Sequence, residues 1–483
     1  MTERASYASV CISAHLPEPA LPHSAPSPDR YDIAIIGAGV VGCALARSFA
    51  MAGARVVVLE KAHDILDGAS KGNSAILHTG FDAPTGSLEA ACVAAGHAEY
   101  LEIRERLGLP LLTSGALVIA WSDEEEAALP GLMEQARSNG VTDIEYLDGP
   151  ALREAEPGLG AEARAAFRVP REYLIDPWSA PLAYLTQAIA HGADVRRRCE
   201  VTGGAFNGTD WTLKTSQGPV RTSSVINAAG LYGDRIDDLL LGRTDFTIKP
   251  RKGQFIVYDK PAFDLARHIL LPVPTKVTKG IVVCRTIWGN LLVGPTAEEQ
   301  NSRTDAGLHQ PTLEALKARG QEILPALAHH KVTALYAGLR PATEEKHYRI
   351  SKHPENMITV GGIRSTGLSA ALGIAQHVRK LWEDERAPDW IAPEPVWPSV
   401  PNIAETAPRD WQSPGHGGVL CHCEMVTERE IRAALNGPLP AQSLAGLKRR
   451  TRVTMGRCQG YYCAGALARL TKGKLSQPMT ADD

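Results

Sequence analysis

The chain has 483 residues, of which 44% are hydrophobic and 22% charged, the composition of an ordinary globular protein with room for about three domains. A formal net charge of −3 offers no broad basic surface, so we expect no nucleic-acid binding. No apolar run is long enough to cross a bilayer. This predicts a cytoplasmic protein whose membrane contact is at most peripheral, through a partner at the inner membrane.

Residues 1–30 are rich in Pro, Ser and Ala and lack the continuous apolar segment of a secretory signal. We expect a disordered tail there.

In a cytosolic chain, closely spaced cysteines are more often metal ligands than disulfides.

Residues 31–61 read YDIAIIGAGVVGCALARSFAMAGARVVVLEK and predict a strand, a glycine turn, a helix and a second strand. Gly37, Gly39 and Gly42 form G-x-G-x-x-G, which permits a tight turn, close approach of a pyrophosphate, and close helix–strand packing, in that order. The helix N-terminus presents its N–H groups to the phosphates. Glu60 ends the second strand, where a carboxylate accepts from ribose hydroxyls and repels the extra phosphate of NADP. The pattern therefore favours FAD or NAD.

Three later segments decide for FAD: GASKGNSAILHTG (68–80), VINAAG (225–230) and GGIRSTGLSAA (361–371). With them, residues 31–380 resemble the D-amino-acid-oxidase-like superfamily of FAD oxidoreductases. The words SKGNSAILHTGFDA, PRKGQF, GNLLVGPTAEE and YAGLRPA are most similar to the branch of anaerobic-type glycerol-3-phosphate dehydrogenase and L-2-hydroxyglutarate oxidase.

This resemblance implies an α/β fold in which a Rossmann-like FAD-binding domain carries an inserted mixed or antiparallel-sheet substrate domain. Alternating apolar and polar runs between residues 246 and 340, such as Gln254–Tyr258, predict the sheet that roofs the substrate pocket. Within the oxidoreductase domain at 31–382, we expect FAD-binding parts at about 31–96, 197–245 and 335–382, and substrate-cap parts at about 97–196 and 246–334.

Beyond the three glycines and Glu60, the resemblance implies that FAD is bound by the 70–80 loop, the 361–369 loop and neighbouring strand ends. The residues are Val40, Lys61, Ser70, Asn73, Ser74, Val201, Ala229, Gly230, Gly362, Gly367 and Leu368.

The substrate pocket needs an anchor for an anion and an acceptor for a proton. Arg340, in AGLRP, is the candidate anchor for the anionic group of the substrate, because a guanidinium can donate two parallel hydrogen bonds to one carboxylate or phosphate. Arg364 is the second choice. His78, in ILHTG, is the candidate proton acceptor, since imidazole suits general-base work at neutral pH. Lys252, in PRKGQ, is a further candidate for the anion or the flavin.

Residues 383–416 are dense in Pro and acidic residues and predict a linker to a small helical domain at 417–472. That domain holds Cys421-x-Cys423 and Cys458-x4-Cys463. Four thiolates suit an iron–sulfur cluster or a structural zinc. Zinc pairs usually leave at least two residues between cysteines, which argues against zinc here. The stretch VLCHCEMVTEREIRAAL…RCQGYYCAGAL resembles the bacterioferritin-associated-ferredoxin type of [2Fe-2S] module.

Together these features predict an FAD-dependent dehydrogenase that oxidises a small anionic hydroxy substrate, either glycerol-3-phosphate-like or a 2-hydroxy acid. A flavin accepts two electrons at once, whereas a [2Fe-2S] cluster carries one. A flavin beside such a cluster can therefore pass electrons singly to an acceptor subunit or a quinone-linked chain. One alternative is a subunit that oxidises C–N bonds in amino acids, opines or hydroxyproline, because a basic residue at Arg364 departs from the hydroxy-acid pattern. A second alternative is a non-catalytic redox carrier or sensor.

Overall fold

The computed structural model describes residues 30–274, 280–384, 386 and 388–480, so the predicted N-terminal tail lies outside the described residues except for Arg30. In these residues the α-helices are α1 (Val40–Met51), α2 (Leu88–Leu107), α3 (Asp123–Ser138), α4 (Gly149–Ala155), α5 (Ser179–Ala190), α6 (Gly233–Leu241), α7 (Gln310–Ile323), α8 (Gly367–Glu383), α9 (Glu428–Asn436), α10 (Leu444–Thr451) and α11 (Ala464–Thr471). No helix among them combines the length and apolar character that a membrane span requires.

The strands of the same residues are β1 (Tyr31–Ile36), β2 (Val56–Glu60), β3 (Ile76–Leu77), β4 (Leu111–Leu112), β5 (Ala116–Ala120), β6 (Glu145–Leu147), β7 (Ala165–Val169), β8 (Tyr173–Ile175), β9 (Asp194–Arg197), β10 (Val201–Phe206), β11 (Trp211–Thr215), β12 (Gly218–Asn227), β13 (Arg251–Tyr258), β14 (Ile269–Pro272), β15 (Val282–Arg285), β16 (Leu291–Gly294), β17 (Glu298–Glu299), β18 (Val332–Arg340), β19 (Arg349–His353), β20 (Met357–Gly361), β21 (Val419–Cys421) and β22 (Val426–Thr427).

The first sheet is built on the predicted strand–turn–helix–strand unit. β1 lies between β12 and β2 and is parallel to both, β2 is parallel to β9, and β12 is parallel to β20. The side chains of β1 and β2 are almost entirely buried, because the branched apolar residues of a central parallel strand are covered on both faces. α1, α5 and α8 contribute to the apolar core on one face of this sheet. The carboxyl ends of β1, β2, β12 and β20 therefore share one edge, where ligands of open α/β sheets bind.

The second large sheet has nine strands in the order β17-β13-β16-β15-β14-β5-β7-β6, with β18 paired to the other edge of β13. Most of its pairs are antiparallel, and β14–β5 is parallel. The alternating run predicted at Gln254–Tyr258 forms part of β13. The described residues thus form a mixed α/β fold, as the sequence predicted.

The C-terminal segment contains the hairpin β21–β22 and helices α9, α10 and α11 around a small apolar core. α9 begins at a capping box, in which Thr427 accepts from the Glu430 amide and Glu430 accepts from the Thr427 amide. Before this segment, the described residues of the predicted linker contain only one short 3₁₀ turn, Asp410–Gln412. They contact the larger part of the chain, because the Val400 amide donates to the Leu107 carbonyl and Trp390 stacks on Trp382.

Candidate flavin, substrate and iron–sulfur sites

A cavity of about 1150 Å³ is lined by residues from both large sheets. The edge of the parallel strands contributes Gly37, Glu60 and Gly230, while β13 and β18 contribute Phe255 and Arg340. Of the residues predicted to bind FAD, those that line this cavity are Gly37, Gly39, Val40, Glu60, Lys61, Ser70, Asn73, Ser74, Val201, Ala229, Gly230, Gly362, Gly367 and Leu368. Residues that lie far apart along the chain, and that the sequence predicted to bind one cofactor, therefore line one cavity in the structure.

The glycine turn after β1 has the geometry of a phosphate cradle. Gly37 has φ +103°, and a Cβ there would lie 2.7 Å from the Ala228 carbonyl oxygen. A Cβ at Gly42 would lie 2.0 Å from the Gly37 carbonyl oxygen, so Gly42 serves helix–strand packing and lies outside the cavity lining. Gly39 has φ −73°, which any residue adopts, and its Cβ would meet only the Ser70 hydroxyl, at 3.2 Å. The open side of Gly39 fits the pyrophosphate of a dinucleotide.

Glu60 is held at the end of β2 by two backbone amides. Ala38 N donates to its Oε2 at 2.7 Å and Ala62 N donates to its Oε1 at 2.8 Å. Burial raises the pKa of the Glu60 carboxyl, and the two amide bonds oppose that shift. The carboxylate is thus oriented before any ligand arrives, as binding of ribose hydroxyls requires. Next to it, the Lys61 ammonium lies 3.3 Å from the centre of the Tyr232 ring.

The loop that follows Glu60 makes hydrogen bonds to α1, which packs on the first sheet, and to β18 of the second sheet. Ser70 Oγ accepts from Val40 N at 3.0 Å, which ties this loop to the first turn of α1. Asn73 Nδ2 donates to the Ser70 carbonyl at 3.1 Å, and the Tyr336 hydroxyl donates to the Asn73 carbonyl at 2.7 Å. The loop is therefore shaped by its own bonds and by β18. A pre-shaped cradle, an oriented carboxylate and a cavity of this volume fit a bound FAD.

His78 lines the same cavity, at the end of β3. Its Nδ1 lies 2.8 Å from Oε2 of Glu172, and its backbone amide donates to Ser369 Oγ at 2.8 Å. A carboxylate only accepts, so this contact places the ring proton on Nδ1 and leaves the Nε2 lone pair available. Glu172 is a functional candidate that sequence reasoning missed, because nothing in the sequence links it to a histidine 94 residues away.

Arg340, at the end of β18, lines the cavity together with Arg251 and Arg364. Its Nη2 donates to the Thr296 carbonyl at 2.6 Å, and no carboxylate of the described residues forms an ion pair with it. Burial and then the positive charges of Arg251 and Arg364 lower the pKa of Arg340 to about 10. It therefore stays cationic at neutral pH. Three guanidinium groups in one cavity make this part of the lining a candidate site for an anion.

Lys252 lies on the other face of β13, outside the cavity lining. Its ammonium donates to the Gly307 carbonyl at 3.1 Å and lies 3.8 Å from the Glu298 carboxylate. Side chains alternate between the two faces of a strand, so the cavity receives Arg251 and Gly253 instead. Arg251 therefore lines the cavity, and Lys252, the residue that the sequence suggested, does not.

The four cysteines of the C-terminal segment form two pairs. The thiol of Cys421 lies beside that of Cys463, and the thiol of Cys423 lies beside that of Cys458. Burial, and then the neighbouring Cys421, raises the pKa of Cys463 to about 11. In the part of the chain that the structure describes, no three His, Cys, Asp or Glu side chains converge as ligands of one ion. Two thiol pairs fit a [2Fe-2S] cluster, in which four thiolates are shared between two irons.

Buried contacts hold this segment against the loop that follows Glu60. The buried Asp64 carboxylate accepts from Arg450 at 2.8 and 2.9 Å and from the Gln442 amide at 3.0 Å. A Cβ at Gly446 would lie 1.7 Å from Oδ2 of Asp64, so α10 approaches this loop as closely as a glycine allows. Asp67, in the same loop, lines the cavity. The cysteine-bearing segment is thus docked beside the candidate FAD site.

A second contact lies nearer the cysteines. Glu424, which follows Cys423, accepts from Arg452 Nε at 2.8 Å, and both side chains are buried. The Arg452 guanidinium lies 4.3 Å from the centre of the Trp288 ring, which stacks on Trp178. Trp178 Nε1 in turn donates to the carbonyl of Lys71, a cavity-lining residue, at 3.3 Å. A continuous chain of contacts therefore joins the two sites.

Comparison with known proteins supports both sites. The FAD dependent oxidoreductase family matches residues 32–381, and the BFD-like [2Fe-2S] binding domain matches residues 419–472. The glycerol 3-phosphate dehydrogenase of Caloramator mitchellensis is 30% identical over 459 residues, which cover 93% of this chain and 95% of that protein. One subunit of the anaerobic glycerol-3-phosphate dehydrogenase of Escherichia coli K12 is 26% identical, and the match covers 90% of this chain and 86% of that protein.

Among solved structures, the dithionite-reduced L-α-glycerophosphate oxidase from Mycoplasma pneumoniae with FAD bound is similar, with a TM-score of 0.69 and 25% identity. The match covers 75% of this chain and 97% of that one. The fold and the two sites thus define a flavoprotein oxidoreductase with a fused iron–sulfur domain. The chain belongs to the FAD dependent oxidoreductase family, and its cofactors are FAD and a [2Fe-2S] cluster, as the sequence predicted.

Proposed function

We propose that the protein is a dehydrogenase that oxidises the secondary hydroxyl of a small polyol phosphate such as glycerol 3-phosphate. The observation that carries this proposal is the convergence of Arg251, Arg340 and Arg364 on the cavity that also contains His78. Three cations suit a phosphate dianion better than a single carboxylate. Relatives named for glycerol 3-phosphate oxidation cover most of this chain, which supports the same substrate.

Arg340 anchors the anion in this scheme. Its Nη2 is fixed by the Thr296 carbonyl, so the guanidinium plane is set before the substrate binds. His78 accepts the hydroxyl proton at Nε2, because its Nδ1 is engaged by Glu172. When bound, FAD supplies the acceptor for the hydride on the carbinol carbon. The apolar side chains of Phe255, Leu271 and Val282 line the cavity and limit water around the reacting atoms.

A 2-hydroxy acid is the second candidate substrate, since its carboxylate would use the same arginine and its hydroxyl the same histidine. The C–N alternative rested on Arg364. That residue lies in one cavity with Arg251 and Arg340, so it is accounted for as part of an anion site and does not discriminate between an amine and an alcohol.

We further propose that electrons leave singly through the cluster to an acceptor subunit or a quinone-linked chain at the inner membrane. The Escherichia coli relative is named as one subunit of its dehydrogenase, which supports an acceptor on a separate chain. Between Cys458 and Cys463, Tyr461 and Tyr462 are 83% and 80% exposed, so the loop that bears these cysteines is at the surface. Exposed aromatic residues of this kind are common in protein interfaces.

Arg340→Ala tests the substrate site. We expect the KM for glycerol 3-phosphate to rise on the order of 10- to 100-fold with unchanged FAD content, because a charge-assisted contact of about 1.5–3 kcal/mol is lost. Arg340→Lys is expected to restore only part of the affinity, since a point charge cannot reproduce the planar fork. The measurement is the steady-state reduction of an added artificial electron acceptor under argon over a range of substrate concentrations.

Arg243→Ala is the matched control, because Arg243 is exposed and paired with Glu355 at the surface. It should leave the KM unchanged. A wild-type KM in Arg340→Ala would remove Arg340 from the substrate site. Tighter binding of an amino acid than of any hydroxy substrate to the wild-type protein would overturn the proposed substrate class.

A further inference from the structure

We propose that Glu172 is the positioning residue for His78, holding its imidazole in the one tautomer and orientation that can accept a substrate proton. This inference rests on the function proposed above and names a second residue behind the proton acceptor. Glu172 lies outside the cavity lining, so it acts through His78 and does not touch the substrate.

Glu172 is placed by the turn between β7 and β8 and is completely buried. Its Oε1 accepts from the Thr79 amide at 2.6 Å and from the Thr79 hydroxyl at 2.7 Å. Its Oε2 accepts from His78 Nδ1 at 2.8 Å. Both carboxylate oxygens are therefore engaged by two consecutive residues of the loop after β3, and a carboxylate is costly to bury unless its oxygens are bonded in this way.

The two Thr79 bonds fix the plane of the carboxylate, and the carboxylate fixes the ring. The His78 amide is itself fixed, because it donates to Ser369 Oγ on α8. The backbone and the ring of His78 are thus each held by a hydrogen bond. A histidine with this arrangement presents Nε2 to the cavity without first changing tautomer or rotating, which is how an orienting carboxylate assists a general base.

The charges around His78 are consistent with this role. Glu172 stabilises the positive charge that develops on the ring when Nε2 takes the substrate proton. His97, on α2, also faces this pair; its ring Nε2 donates to the Arg171 carbonyl at 2.9 Å, and burial lowers its pKa. A neutral His97 does not oppose the charge on His78. The Arg171 side chain is engaged by Asp143 at 2.9 Å, and α8 contributes the uncharged hydroxyl of Ser369.

Glu172→Gln tests the proposal, because the amide keeps the size of the side chain and an acceptor for Thr79. Its NH2 group facing Nδ1 would favour the proton on Nε2, the tautomer that cannot accept. We expect the limiting rate of flavin reduction by glycerol 3-phosphate under argon to fall on the order of 100- to 10,000-fold with little change in KM. The pH profile of its flavin reduction should also differ from that of the wild type, because the His78 ring loses its negative neighbour.

Glu156→Gln is a matched control. Glu156 is also buried and bonded to a histidine, with Oε2 3.0 Å from His268 Nδ1, but neither residue lines the cavity. This substitution should leave both the rate and the pH profile of flavin reduction unchanged. Glu172→Asp is expected to restore part of the lost rate, since it returns the charge with a shorter reach.

The tautomer of the His78 ring can also be determined spectroscopically, without a turnover assay. Nitrogen-15 imidazole spectra of the wild-type protein should show His78 protonated at Nδ1 and unprotonated at Nε2, and His78→Gln identifies the signal. A proton on Nε2 in the wild type, or a wild-type rate and pH profile in Glu172→Gln, would overturn the proposal. If no hydroxy substrate reduces the wild-type flavin but the Nδ1–H tautomer is observed, the proposed function fails while the positioning role stands.

Discussion

Cys423→Ser is expected to lose iron and sulfide while it keeps FAD and still undergoes flavin reduction by substrate. Turnover with the physiological acceptor should be almost abolished. The physical reason is that Cys423 and Cys458 form one of the two thiol pairs, and a cluster that loses a thiolate ligand is not held. Flavin reduction needs only the cavity, whose lining contains none of these four cysteines. The measurements are metal and sulfide analysis, flavin content, and paired assays of flavin reduction and turnover.

Cys92→Ser is the matched control, since Cys92 is a buried thiol on α2 that lies outside the cavity lining and has no partner cysteine among the described residues. It should keep iron and both activities. Zinc in place of iron in the wild-type protein would overturn the electron relay. Loss of the cluster with full turnover in Cys423→Ser would show that electrons leave by another route.

Gly39→Val is expected to abolish FAD binding and leave a folded chain that lacks the flavin absorbance but still carries its coloured cluster. The backbone at Gly39 has φ −73° and tolerates valine, and among the described residues the one close neighbour of an added Cβ is the tip of the Ser70 side chain. The isopropyl group would instead fill the open side of the turn, where the pyrophosphate must approach. The readouts are flavin content after purification and the thermal unfolding midpoint of the apoprotein.

Gly131→Val is the control, because Gly131 lies in α3 with no atom within 4 Å of an added Cβ and outside the cavity lining. It should retain full flavin content. Stoichiometric FAD in Gly39→Val would contradict the placement of the pyrophosphate.

The FAD half of the site was predictable because its signals are local. Gly37, Gly39, Gly42 and Glu60 belong to one strand–turn–helix–strand unit, in which the turn geometry itself demands glycine. The cysteines were predictable for a similar reason, since their close spacing brings thiols together within each short segment. Their pairing between the two segments is a tertiary property that the structure adds, with Cys421 beside Cys463 and Cys423 beside Cys458.

The substrate half was less predictable because it is assembled from distant segments. Glu172 reaches His78 from a turn that carries no motif, and Arg251 faces the cavity only because β13 begins in one particular register. A shift of one residue along a strand exchanges its two faces, so the sequence alone did not show that Arg251, and not Lys252, lines the cavity.

The sequence also contains no signal that predicts how the cysteine-bearing segment packs against the oxidoreductase part. Asp64 and Arg450 are separated by almost the whole chain, and each is an ordinary charged residue by composition. Only the fold shows that they are both buried and paired beside the candidate FAD site. This proximity is the structural basis for treating the two cofactors as one electron-transfer unit.

In the proposed relay, electrons taken from a small anionic hydroxy substrate reach the cluster within one chain. The most direct measurement is an electron paramagnetic resonance spectrum of the oxidised holoenzyme after glycerol 3-phosphate is added under argon, with flavin absorbance followed on the same sample. We expect the flavin absorbance to fall and the signal of a reduced [2Fe-2S] cluster to appear, with no change when uncharged glycerol is added. The contrary result would be a flavin that substrate reduces while no signal of a reduced cluster appears, although dithionite does reduce the cluster in the same preparation.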